Sequence, residues 1–125
     1  MVFAPRVAFV DVETTGARVG EDRVTEIGVV RIIDGEIESE WESLVDPGIP
    51  IPPAIQRFTG ITDEMVRGAP AFAQLADELF ERLAGCLFVA HNARFDLGFL
   101  RSEFARLEME FQPSALCTVK LSRAL

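Results

Sequence analysis

Apolar and polar positions follow a strand-like rhythm through the first third of this chain and a helical one further on. RVAFVDV (6–12) is a compact run of strand formers, closed by TTGARVGEDR (14–23), a polar loop that carries glycine. VTEIGVVRIID (24–34) and EIESEWESLV (36–45) then flank Asp34-Gly35, a strong hairpin signal. A three-stranded meander is expected. In its last strand Glu36, Glu38, Glu40 and Glu42 alternate with Ile37, Ser39, Trp41 and Ser43, which predicts a solvated face whose charges discourage edge pairing. DPGIPIPPAIQRFTGIT (46–62) is proline-rich and reads as an ordered loop with one helical turn at Pro53 to Arg57.

After Pro70 the period lengthens. Phe72, Leu75, Ala76, Leu79, Phe80 and Leu83 fall on one helical face, and Gly85 supplies a stop signal. CLFVAH (86–91) is a buried strand. FDLGFLRSEFARLEM (95–109) predicts a second helix that buries Phe95, Phe99, Leu100 and Leu107. SALCTV (114–119) reads as a fifth strand, and KLSRAL starts a further helix. Strand, helix, strand, helix after a meander implies an α/β fold with mixed strand directions.

With 125 residues, 49% of them hydrophobic, one globular domain with a sizeable core is expected. No run of eighteen apolar residues occurs, and MVFAPRVAFVD meets charge too early for a signal sequence, so a soluble cytoplasmic chain without membrane association is expected. Cys86 and Cys117 lie far apart in apolar surroundings and read as core thiols. A net charge of −8 argues against coating a long duplex through many phosphate contacts. It leaves room for an enzyme that grips one strand end through bound cations.

The candidate chemistry begins where the first strand ends. Asp11 and Glu13 are two positions apart, so their carboxylates share a face. Unrelieved, such a pair repels and raises at least one pKa; Mg²⁺ or Mn²⁺, which take oxygen ligands, removes the conflict. D-x-E alone is weak, since it also marks a strand emerging into water. Thr14, Thr15 and Gly16 strengthen it with hydroxyls, backbone N–H groups and a close approach to the main chain. So does Asp96, in the polar cluster after a second strand.

DVETTG (11–16), TEIGVVRI (25–32), TGITDEMV (59–66) and HNARFD (91–96) together resemble the DEDD-type 3′–5′ exonucleases of the ribonuclease H-like fold, most of all the epsilon subunit of bacterial DNA polymerase III and its epsilon-like relatives. The resemblance implies that Asp11, Glu13 and Asp96 are catalytic acids holding two Mg²⁺ or Mn²⁺ ions. It implies that Thr14, Thr15 and Gly16 meet the terminal nucleotide, with Phe58 and Thr59 near the last base or sugar and Asn92 and Phe95 lining the pocket. Phe58 and Phe95 read equally well as core residues. The substrate implied is a single-stranded DNA 3′ end, with a DNA polymerase catalytic subunit as candidate partner.

The family's third motif, H-x-x-x-x-D, supplies a general-base histidine and a fourth acid, and nothing in this chain occupies that role. The expectation is one exonuclease domain over 1–125 that lacks this motif, binds metal and turns over poorly. His91-x-x-x-x-Asp96 has the same spacing, but it lies in the second-motif context, between an apolar strand and a helix. A loop-supporting imidazole is the reading favoured there. A non-catalytic binding module and an RNA-trimming exonuclease are the rival functions.

Overall fold

The computed structural model describes residues 6–117. Its strands are β1 (Val7–Thr14), β2 (Val24–Ile33), β3 (Glu36–Leu44), β4 (Leu87–Ala90) and β5 (Ala115–Cys117). They form one five-stranded sheet in the order β3-β2-β1-β4-β5. β1, β2 and β3 pair antiparallel as the expected meander, whereas β4 joins β1, and β5 joins β4, in parallel. Asp34 and Gly35 both take positive φ, 55° and 81°, so the two-residue turn has the twist a tight hairpin needs.

Four helices accompany the sheet among the described residues: α1 (Pro53–Thr59), α2 (Asp63–Val66), α3 (Phe72–Leu83) and α4 (Ala93–Ala105). α1 runs two residues past the expected turn, and α2 was not foreseen. Thr62 starts α2 by accepting a hydrogen bond from the Met65 N–H, and Asp63 ties it back to the Ile51 N–H.

The parity of β1 divides the molecule. Ala8, Val10, Val12 and Thr14 face the core, while Phe9 and Asp11 are exposed on the other face with Glu13 half-buried. The core side is filled by the predicted stripe of α3, with Phe72, Ala76, Leu79 and Leu83 buried, and by Phe99, Leu100 and Phe104 of α4. Phe104 packs edge-on to Phe72 and Phe80, at centroid distances of 5.1 and 5.5 Å. A separate small cluster of Ile51, Ile61 and Val66 pins the proline-rich segment. Cys86 is buried as expected. The side chain of Cys117 and the helix expected from KLSRAL lie outside the described residues. No helix of the described residues is long and apolar enough to cross a membrane.

Candidate active site

β4 is short, and that shortness builds the site. It pairs with β1 only at Val7, Ala8 and Phe9, so the later residues of β1 have no strand neighbour on that side. The chain turns at His91 and Asn92 and enters α4, whose first turn swings Asp96 into the open place in the ladder. There Asp96 Oδ1 accepts a buried hydrogen bond from the Val12 N–H at 3.0 Å. A strand's missing partner is replaced by a carboxylate, beside Asp11 and Glu13.

Burial and neighbouring charge act on two of these three acids. Burial, followed by the charge of Asp11 and then Glu13, raises Asp96 from 3.8 to about 6, against the lowering effect of the Val12 bond. Burial first, then Asp11 and Glu26, raises Glu13 above the ordinary carboxylate range. Glu26 is raised as well, by burial, then by Glu42 and Asp11. The register explains how Glu26 and Glu42 join the site, which periodicity alone does not predict. Glu13 faces Glu26 across the antiparallel pair, and Asp11 faces Gly28, which in turn faces Glu42. The acidic face of β3 thus continues the acidic end of β1.

Gly28 leaves open space above the sheet. Around it Phe9, Asp11, Val30, Glu42 and His91 help line an open hollow of about 690 Å³. Oxygen-only donors, with Glu13 and Asp96 raised by burial and by the charge of Asp11, suit a hard divalent cation chemically. Among the described residues, however, no group of three or more His, Cys, Asp or Glu side chains is already converged for a metal ion.

The loop after β1 is closed on itself. The Thr14 hydroxyl donates to the Gly16 carbonyl at 2.5 Å. The Thr15 hydroxyl donates to Asp22 Oδ1 at 2.9 Å and accepts from the Arg23 N–H at 3.0 Å, and Thr15 is only 1% exposed. Both expected ligand-facing hydroxyls are therefore engaged within the loop. Gly16 is needed for a reason internal to the protein: a Cβ there would stand 2.5 Å from Asp22 Oδ2. The other candidates diverge. Phe58 is 86% exposed, so it is no core residue. The Thr59 hydroxyl donates to the Ile55 carbonyl and accepts from the Ile61 N–H. Asn92 is exposed at the start of α4, and its carbonyl accepts from the N–H groups of Phe95 and Asp96. Phe95 is half-buried, 4.8 Å from the Phe99 ring. His91 is exposed in the turn, beside the hollow.

A mixed sheet with an antiparallel meander, and acids gathered from its central strand and one crossover helix, defines the ribonuclease H-like class of nuclease folds. Within that class the chain belongs to the exonuclease family, whose model matches residues 8–125. A Mycobacterium tuberculosis protein described as a bifunctional exonuclease/endonuclease is 43% identical over 91% of this chain. The 3′-5′ exonuclease DinG of Staphylococcus saprophyticus is 35% identical over 87% of it. The chain spans only 19% and 12% of the lengths of these two relatives. Among solved structures, product-bound exonuclease I superposes with a TM-score of 0.87 at 21% identity, over 96% of this chain and 31% of that one. A zinc-bound complex of E. coli exonuclease I with single-stranded DNA also gives 0.87, at 20% identity, over 97% of this chain and 29% of the other.

Proposed function

We propose that this domain is a metal-dependent 3′–5′ exodeoxyribonuclease that releases nucleoside monophosphates from a single-stranded DNA end. The observation that carries the reading is the Val12–Asp96 bond, which sets a buried carboxylate against the end of β1 where Asp11 and Glu13 lie, with Asp96 pushed up to about 6 by burial and by those two charges. Such an arrangement is unfavourable for a protein alone and favourable around cations. Asp11, Glu13 and Asp96 would hold Mg²⁺ or Mn²⁺. Bound there, the cations would polarise the scissile phosphate and acidify a water.

The chain's own residues would hold the strand end. The Thr14–Gly16 backbone would face the terminal nucleotide, since both threonine hydroxyls already serve the loop. Phe58, exposed and aromatic, would stack on the last base with Thr59 beside it, while Asn92 and Phe95 would border the pocket. The epsilon-type motifs support a proofreading setting next to a DNA polymerase catalytic subunit. The likeness to DinG, a 3′-5′ exonuclease, supports exonuclease chemistry of this polarity.

Calorimetric titration with Mn²⁺ tests the metal site: Asp11→Ala and Glu13→Ala are expected to abolish the binding heat. Binding equal to wild type would remove the enzyme reading. Incubation with 5′-labelled single-stranded DNA and Mn²⁺ tests polarity, with stepwise shortening expected and internal cuts contradicting it. Parallel RNA oligonucleotides read discrimination by the 2′-hydroxyl. A second reading is a metal- or polymerase-binding module without turnover. Metal binding with no shortening of DNA would select it.

A further inference from the structure

α4 buries a second carboxylate that the proposed chemistry does not use. Glu103 is 2% exposed and lies seven residues, two helical turns, beyond Asp96 on the same face. Its Oε2 accepts from the Val24 N–H at 3.0 Å. Its Oε1 takes Arg23 Nε at 2.9 Å and Arg23 Nη2 at 2.8 Å. Both carboxylate oxygens are thus committed to the loop end, to the buried Val24 N–H and to the Arg23 guanidinium, and a buried ion pair is weak evidence for stability by itself.

What Glu103 holds is the far end of the loop that leaves Glu13. Asp22, next to Arg23, bonds the Thr15 hydroxyl and the Arg18 N–H and fills the room left by Gly16. The Thr15 N–H donates to the Arg23 carbonyl at 2.8 Å, so the start and end of the loop are laced together. Arg106, one turn past Glu103, donates to the Gly20 carbonyl at 2.6 Å. α4 therefore fixes two things with one rigid body. Asp96 is set against β1 near one end, and the loop from Thr15 to Arg23 is set by Glu103 near the other.

We propose that Glu103 and Asp22 are positioning residues that hold the Thr14–Gly16 backbone where it receives the terminal nucleotide. This rests on the exonuclease reading of the site. Neither residue touches substrate; both act through the loop.

The test uses the 125-residue chain, Mn²⁺, and oligothymidylate whose 3′-terminal linkage is a phosphorothioate to resist cleavage. Glu103→Gln keeps the shape, loses the pairing with Arg23 and removes a negative charge. Charge alone would then tighten DNA binding, so weakening has to come from geometry. In Glu103→Gln and in Asp22→Asn we expect oligonucleotide affinity to fall roughly 10-fold while Mn²⁺ affinity stays within about twofold. Amide exchange at Thr15 and Asp22 should quicken, with Val12 unchanged. Should Glu103→Gln fail to melt cooperatively, the partly exposed Asp22→Asn decides. Unchanged exchange at Thr15, or unchanged oligonucleotide affinity, overturns the proposal. So does a parallel loss of Mn²⁺ affinity, which would make Glu103 a general support of the fold. Wild-type protein that binds no Mn²⁺ instead overturns the reading of the site, whatever the variants do.

Discussion

Asp96→Asn should make the metal-free protein more stable at neutral pH while destroying its proposed function. In the folded chain the Asp96 carboxyl titrates at about 6, in place of 3.8. Below 3.8 the group is protonated in both folded and unfolded chains and contributes nothing. Between 3.8 and 6 the unfolded chain gives up its proton first, so stability falls as pH rises, and above 6 the full penalty is present. At about 1.4 kcal/mol for each pH unit, that interval sets a ceiling of roughly 3 kcal/mol. Asp96 is 5% exposed, so solvent screening removes little of it. Asparagine keeps an oxygen for the Val12 N–H but buries an amide NH₂, which takes back about 1 to 2 kcal/mol. The net expectation is a gain of about 1 to 2 kcal/mol in urea unfolding with a chelator at about pH 7.5, turning into a loss of about 1 kcal/mol at about pH 4, where the charge penalty has almost gone and the amide cost remains. Adding Mn²⁺ should reverse the order, because only the wild type gains binding energy. If Asp96→Asn is the less stable chain at neutral pH without metal, the claim that Asp96 is held against its own charge is wrong.

Other expectations are simpler. Gly16→Ala must push Asp22 away from Thr15 and Arg18, and a loss of about 1 to 2 kcal/mol in thermal or urea melts is expected; a neutral effect would mean that the loop yields easily. Phe58→Ala, at an 86% exposed position, should leave stability within about 0.5 kcal/mol. It should weaken oligonucleotide binding by about 1 to 3 kcal/mol in anisotropy titrations if the ring stacks on a base. Phe104→Ala removes the ring shared by Phe72, Phe80 and Phe111 and should lower stability by about 3 to 5 kcal/mol by denaturant titration.

The parts of the fold that sequence revealed are those set by local rules. A compact apolar run marks β1, Asp34-Gly35 marks the hairpin of β2 and β3, alternation marks the face of β3, and the apolar stripe marks α3. Boundaries set by tertiary contact were less legible. α4 begins at Ala93, two residues before the expected start, because Ala93 is buried against the core. It ends at Ala105, four residues early, where Glu108 takes a φ of 60° and Met109 folds back on the Phe104 carbonyl. At the site, Asp11 and Glu13 followed from strand parity, while Glu26 and Glu42 needed the register of three strands. Glu103 carried a signal that went unread: a carboxylate two turns from Asp96 among phenylalanines and a leucine. The functions of Thr14, Thr15 and Gly16 were the hardest to see, because Asp22 lies on the far side of the loop.

The hydrogen bond between Val12 and Asp96 joins residues 84 positions apart. The meander of β1, β2 and β3 needs only nearby segments, so it can form early, whereas this closure waits for the parallel crossover. During synthesis, at about 5 to 20 residues per second, a finished hairpin sheet would precede the emergence of Asp96 by several seconds. A refolding chain should likewise acquire the proposed affinity for Mn²⁺ in its slowest phase, after the strands have paired. On the proposed reading, the acids of β1 would therefore be disarmed by order of assembly: a nascent chain has no third carboxylate beside them until α4 has docked on β1.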